Sequence, residues 1–382
     1  MPSVLAPLPG ESLTSWVHAL ARDQARSAVQ AARQVGLLPP TAAPEPGAGL
    51  GHRHRHRIPT LTVHVDDPTA ARVTATTGLP PEALRAMTLE RYAGTVLDLD
   101  RAHWWRGAGR LSEWIDHTAV SVCPPCLATA ADRWPLAWLL PWSFLCLDHR
   151  VYLVGQCPRC AAPLTPAGVA AGACTGRPSR ASNRTKLKPP CCADLTNLPT
   201  TPVRSYRTVQ LQRALLTAAD APADQRPAAR ERFGDLWVAA CAAMFTADPR
   251  DLHGADDPVR DAFATFPDTV RAGTHRKHQP PLIRAALALA ADTILSAPDP
   301  FDAVVVMAQR NQRPEWSLQL AAAWRPGALR PAAGRGGLRV QKILQAAHPG
   351  VVGGRALLIA PGARPETQAE RRARQATGEP DT

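Results

Sequence analysis

Eight of the nine cysteines in this 382-residue chain lie between Cys123 and Cys192, with Cys241 the outlier. Cys123-Pro124-Pro125-Cys126 is followed, nineteen residues on, by Cys146-Leu147-Asp148-His149. This makes two pairs of soft donors, each with a two-residue gap. A C-x2-C turn brings both thiolates to one ion at ~2.3 Å, and a Cys-x2-His pair closes the tetrahedron with one imidazole. Buried free thiols are the competing reading, and they leave the paired spacing and the histidine unexplained.

A second constellation opens with Cys157-Pro158-Arg159-Cys160 and has Cys174 and either Cys191 or Cys192 to close it. Thirteen residues separate Cys160 from Cys174 and sixteen separate Cys174 from Cys191, so a loop must bring the closing ligands together. Catalytic zinc keeps one coordination position open for water, whereas four protein ligands fill the shell. Both sets read as closed structural zinc sites, and two Zn2+ ions are the expected cofactor. No GxxxxGK[ST] loop, GxSxG elbow, HExxH or carboxylate cluster points to catalysis, and the chain reads as a non-enzyme.

Formal net charge is +12, carried almost wholly by arginine; the lysines are Lys186, Lys188, Lys277 and Lys342. Such an excess favours an anionic partner. Between the ligands of the second site, Arg177, Arg180, Arg184, Lys186 and Lys188 occur with no acid among them. Pinning such a loop at a metal lowers the ordering cost of meeting a phosphate backbone, which makes these five the candidate nucleic-acid contacts. A His/Arg alternation at 52–57, which could chelate metal or touch phosphate, reads more as a solvated edge, and a basic, acid-free stretch at 325–355 is equally explained as nucleic-acid contact or as a linker.

The elements that position these groups are expected to be mainly helical. Glu11 and Ser12 cap a helix in which Leu13, Trp16, Val17 and Leu20 share one face, with alanines extending it towards Gly36. Residues 58–65 alternate as a short strand does, and residues 77–92 give a turn and a short helix with Leu84, Met87 and Leu89 inward. Trp104, Trp105, Trp114, Trp134, Trp138 and Trp142 cluster in or beside the first zinc site, where large aromatics make up for a small core. Helices are expected at 209–220, 232–245 and 281–295, with Cys241 in their core, and a tail without structure after Ala360.

Together these motifs resemble the TniQ family, transposition accessory proteins that include TnsD-like target selectors. The resemblance runs through most of residues 5–195. It rests on Pro9-Gly10-Glu11-Ser12 with Leu13, Ser15 and Trp16, then on Cys123-Pro124-Pro125-Cys126-Leu127 with Trp134. Cys146, His149 and Leu153, Cys157-Pro158-Arg159-Cys160, and Cys191 ahead of Ala193-Asp194-Leu195 complete it. Cys192 stands where the family has a small or polar residue, which favours Cys191 as the eighth ligand; residues 37–57 have no counterpart.

The resemblance implies a non-catalytic factor that links target-DNA recognition to a separate transposase and AAA+ ATPase. Some relatives bind DNA and some dock onto an RNA-guided complex; a homodimer is compatible with this. A zinc-stabilised scaffold that never touches DNA is the alternative. The expected fold class is mainly α with small β elements. An N-terminal helical or mixed region spans 1–122, tandem zinc modules 123–196, a helical domain 197–300, a basic region 301–360 and a tail 361–382. No signal peptide or long apolar stretch is evident, so the expected location is cytoplasmic, where reduced thiols suit zinc better than disulfides.

Overall fold

The computed structural model describes residues 5–38, 61–97, 119–176, 189–266 and 279–311. The 52–57 run, Trp104, Trp105, Trp114, the five loop cations from Arg177 to Lys188, the 325–355 stretch and the tail fall outside these residues. Among the described residues the fold is mainly α with few strands. No helix there is long and apolar enough to cross a membrane.

Helix α1, Leu13–Asp23, starts where Ser12 accepts the Ser15 backbone N–H at 3.1 Å. Its inward stripe buries Leu13, Trp16, Val17 and Leu20, and the Trp16 indole donates to the Leu5 carbonyl at 2.8 Å. The expected extension to Gly36 is interrupted. Ala25 takes a positive φ of 50°, and Ser27 opens α2, Ala28–Gln34, with a reciprocal capping box to Gln30. Alanine content favoured one long helix, but the local cap supplied a better end for the backbone. Helices α3, Asp67–Thr77, and α4, Pro81–Ala86, complete the N-terminal layer, with Leu84, Met87 and Leu89 buried as the sequence implied.

The strand expected at 58–65 is not formed over its described part; Leu61 is helical and residues 62–66 run through a turn and irregular chain. Val63 and Val65 are buried, so the alternation reported burial rather than pairing. Instead of a ladder, the Thr62 carbonyl accepts the Leu89 N–H at 2.8 Å and the Thr62 and Thr14 hydroxyls hydrogen-bond.

After α5, Pro124–Thr129, comes a small antiparallel sheet, β1 (Leu145–Cys146), β2 (Val151–Tyr152) and β3 (Thr201–Pro202), in that order. Helix α6, Pro166–Ala170, lies between β2 and β3 in sequence. The helical half follows as α7 (Tyr206–Ala219), α8 (Arg226–Thr246), α9 (Asp257–Ala264), α10 (Pro281–Leu295) and α11 (Pro300–Arg310). Two of its helices begin earlier than their apolar periodicity implied. Ser205 caps α7, and α8 starts with a proline in its first turn, where the lost N–H costs nothing. Ala285, Ala286, Ala288, Ala290 and Ala291 of α10 are fully buried, and with Ala239, Ala242 and Ala243 of α8 they let the two backbones approach closely.

Specific polar contacts fasten the parts together. Glu11, almost completely buried, accepts the Ser15 hydroxyl at 2.7 Å and Nε of Arg133 at 2.8 Å, so α1 is tied to the chain just past α5. Gln212 of α7 receives the Phe144 and Leu145 N–H groups at 2.7 and 3.1 Å and donates to the Trp142 carbonyl at 2.8 Å. Arg284 of α10 donates to the Leu140 carbonyl at 3.1 Å and to the Ser121 hydroxyl. Burial lowers the Arg284 pKa to about 10, which still leaves it charged at neutral pH. One continuous apolar cluster joins Trp134, Trp138, Trp142, Phe144 and Tyr152 to Leu215, Phe233, Ile283 and Met307.

Candidate metal centre

Two groups of four donors converge within 4.8 Å: Cys123, Cys126, Cys146 and His149, and Cys157, Cys160, Cys174 and Cys191. In the first, Cys123 is the residue before α5, and Cys126 falls within that helix's first turn. The prolines at positions 124 and 125 preset the φ needed there and forfeit only N–H groups that a first turn leaves orphaned. Cys146 ends β1, and the tight turn to β2 carries His149, with Arg150 at a φ of 49°. The two halves meet because Val122 and Val154 exchange backbone hydrogen bonds at 2.9 and 2.7 Å.

The separations fit a tetrahedron. Bonds of ~2.3 Å to sulfur imply edges of about 3.8 Å, and slightly less to nitrogen. The Cys126–Cys146 sulfurs are 3.6 Å apart, and His149 Nδ1 lies 3.6, 3.1 and 3.6 Å from the sulfurs of Cys123, Cys126 and Cys146. In the second group, Cys157–Cys191 is 3.8 Å and Cys160–Cys174 is 3.6 Å. A disulfide requires ~2.05 Å, so none of these is one.

Each of the closing ligands of the second group sits on one of two backbone-paired segments, 173–176 and 191–195. Cys174 N–H donates to the Ala193 carbonyl at 2.8 Å, Cys192 N–H to the Cys174 carbonyl at 2.9 Å, and Cys191 N–H to the Gly176 carbonyl at 2.8 Å. The ladder turns Cys191 inward, where it is buried, and leaves Cys192 exposed with a φ of 52°. The local backbone, with Cys192 at its positive φ, thus brings Cys191 and not Cys192 among the other three donors. On the other side, the Cys157–Cys160 turn closes through Ala161 N–H to the Cys157 carbonyl at 2.8 Å.

Gly176 was not singled out in the sequence, although a glycine two residues after Cys174 was its signal. A Cβ there would stand 2.4 Å from Ala162 Cβ and 3.0 Å from Cys160 Sγ, and its N–H donates to Cys174 Sγ at 3.4 Å. The residue therefore holds the 173–176 segment against the sulfur cage.

The electrostatics also suit a dication. Burial pushes the Cys174 thiol up to about 12, with the neighbouring Cys157 and Cys160 sulfurs adding to it. In the first group, hydrogen bonds from Cys123 and Cys126 pull Cys146 down, while bonding to Cys123 and Cys146 pushes Cys126 up. Several thiolates cannot share so small a volume without a compensating cation, and a divalent metal ion held by these donors would supply that charge. Three sulfurs with one nitrogen, and four sulfurs, are donor sets that structural zinc takes. Among the described residues no further group of metal-type donors converges in this way.

Residues 2–153 match the family model TniQ, which supports placing the chain in that family. The match takes in α1 with its Glu11 anchor and the whole of the first donor group, and it ends before Cys157. No curated protein matches the chain.

Proposed function

We propose that this TniQ-family protein is a zinc-stabilised, non-catalytic accessory factor of DNA transposition, linking recognition of a target to a separate transposase and AAA+ ATPase. The observation that carries this reading is a TniQ-type N-terminus joined through Glu11 and Arg133 to a module with two closed four-donor groups. Zn2+ fills both, and its chemistry is structural, since four protein donors leave no position for substrate. Cys123, Cys126, Cys146 and His149 hold one ion, and Cys157, Cys160, Cys174 and Cys191 hold the other.

Functionally the chain divides into a TniQ-like region at 1–122, the zinc modules at 123–196, a helical domain at 197–300, a basic region at 301–360 and a tail. The cations Arg177, Arg180, Arg184, Lys186 and Lys188 contact DNA phosphate from a segment whose two ends, Gly176 and Cys191, are joined by the 2.8 Å backbone bond at the second metal site. Each phosphate neutralised on a duplex contributes about 0.9 log unit of affinity per log unit of salt. Binding of the zinc-loaded protein to duplex DNA across a salt series tests this. A steep slope that flattens on charge reversal at Arg180 and Arg184 is expected. Capture of the partner ATPase or transposase without DNA, with no duplex bound at low salt, would instead make the protein a scaffold.

A further inference from the structure

Helix α7 has two faces with opposite characters. Thr208, Val209, Leu211, Gln212 and Leu215 are buried, and through Gln212 this side grips the chain leading into the first donor group. On the other side Tyr206 is 77% exposed, the most exposed large apolar side chain among the described residues, and Arg213 and Thr217 are exposed with Gln210 half-buried between them. At 100° per residue, positions 206, 210, 213 and 217 fall within an arc of about 60° and run ~16 Å along the axis. Arg204 is exposed just before the Ser205 cap, at the helix's start.

The row holds no acid. The helix sequence YRTVQLQRALLTAA contains none, and Asp220 beyond its end is taken by Arg91 at 2.5 and 2.7 Å. Near Arg204, the Asp256 carboxylate is occupied by the Tyr152 hydroxyl at 2.8 Å and by the Arg204 N–H at 3.2 Å, and Asp257 by Arg260 at 2.7 Å. Arg207 is turned away, donating to Asp292 and Thr293 at 2.9 Å. What remains outward is two guanidinium groups, an amide, a hydroxyl and a phenol.

From this we infer that the exposed face of α7 is a duplex-DNA contact surface, separate from the 177–188 loop. It rests on the reading that the chain meets DNA and names a second place where it does so. Charge decides for an anionic partner, and the side chains decide its kind. A lone tyrosine cannot provide the successive stacking platforms that a single strand uses, whereas a straight, acid-free helix face with Arg, Gln and Thr suits a groove and its flanking phosphates. Arg204 and Arg213 contact phosphate, Tyr206 packs on the backbone sugars, and Gln210 and Thr217 face the groove.

The test is fluorescence anisotropy on a random-sequence duplex of about 20 bp and on its single strand, from about 50 mM salt upward. The full-length chain is compared with Arg204→Gln/Arg213→Gln, with Tyr206→Ala, and with the loop variant Arg180→Glu/Arg184→Glu. All the face positions are outward, so zinc content and melting temperature serve as folding controls. The expected result is a duplex salt slope smaller by about two log units per log salt in the double glutamine variant, and weaker binding in Tyr206→Ala at every salt. Duplex binding lost in the loop variant but unchanged in the α7 variants would overturn the inference and leave the proposed function standing. No duplex binding by the unaltered chain would overturn both. An effect confined to the single strand, or a change of oligomeric mass without a change in DNA affinity, would assign the face to another occupant and overturn the inference.

Discussion

At the residue scale, the most constrained side chains surround the second metal site. Gly176 is there because nothing larger fits between Ala162 and Cys160, so Gly176→Ala must push apart the Cys174 segment and the Cys157–Cys160 turn. Loss of about one zinc per chain under a competing chelator is the expected outcome, with the first site still filled; unchanged metal content would show that the segment has slack. His18 makes a different prediction. Burial, reinforced by Arg22, lowers its pKa from 6.5 to about 4, so the folded chain holds it neutral. Above pH 6.5 neither state takes the proton; as pH falls towards 4 only the unfolded state does, and folding stability drops. Between pH 7.5 and 5 this group costs about 2 kcal/mol, and His18→Gln should remove that increment from the pH dependence of chemical denaturation. Six of the eight converging donors stand in pairs at a two-residue gap and were legible that way. Cys174 and Cys191 stand outside such pairs, and the preference for Cys191 over Cys192 came from the family resemblance, because spacing does not tell which of two adjacent cysteines faces the cage.

At the element scale, helices were legible where apolar periodicity met a start signal, the Ser12 cap of α1 and the first-turn prolines of α10, and misread where composition stood in for caps. Alanines between Asp23 and Gly36 implied continuity, while Ser27 and Gln30 wrote a new start. Alternation at Val63 and Val65 implied a strand where no partner strand exists among the described residues. Docking between elements was invisible in sequence, because a glutamine on an apolar helix face gives no sign of which backbone it will meet. Gln212 satisfies three main-chain groups at once, and truncation would leave them buried and unpaired. Gln212→Ala should therefore cost roughly 2–3 kcal/mol in thermal or chemical unfolding, well above the ~1 kcal/mol of an ordinary hydrogen bond. Arg284 is the parallel case. Arg284→Met keeps most of the volume but removes the bonds to the Leu140 carbonyl and the Ser121 hydroxyl, and should loosen α10 from the metal module, seen as faster amide exchange at residues 120–122 and 140–142.

For the whole molecule, the metal sites and the helices share a core rather than standing as separate beads. Trp134, Trp138 and Trp142 pack into the same apolar cluster as α7, α8 and α10, so metal loss at one end is felt in the helices. Chelation should lower the melting temperature of the whole chain in one step rather than melting an isolated knuckle. The basic segment between Gly176 and Cys191, and the exposed face of α7, are the two proposed DNA contacts of one chain, which suits a protein whose proposed task is to hold DNA and machinery in register. All of this depends on two closed zinc sites built from the named donors. The most direct measurement is the zinc content of the purified full-length chain and of Cys191→Ser and Cys192→Ser, after exchange against a weak chelator. Two ions in the unaltered chain, one in Cys191→Ser and two in Cys192→Ser are expected. Fewer than two ions in the unaltered chain after zinc is supplied, or loss from Cys192→Ser in place of Cys191→Ser, would contradict the account.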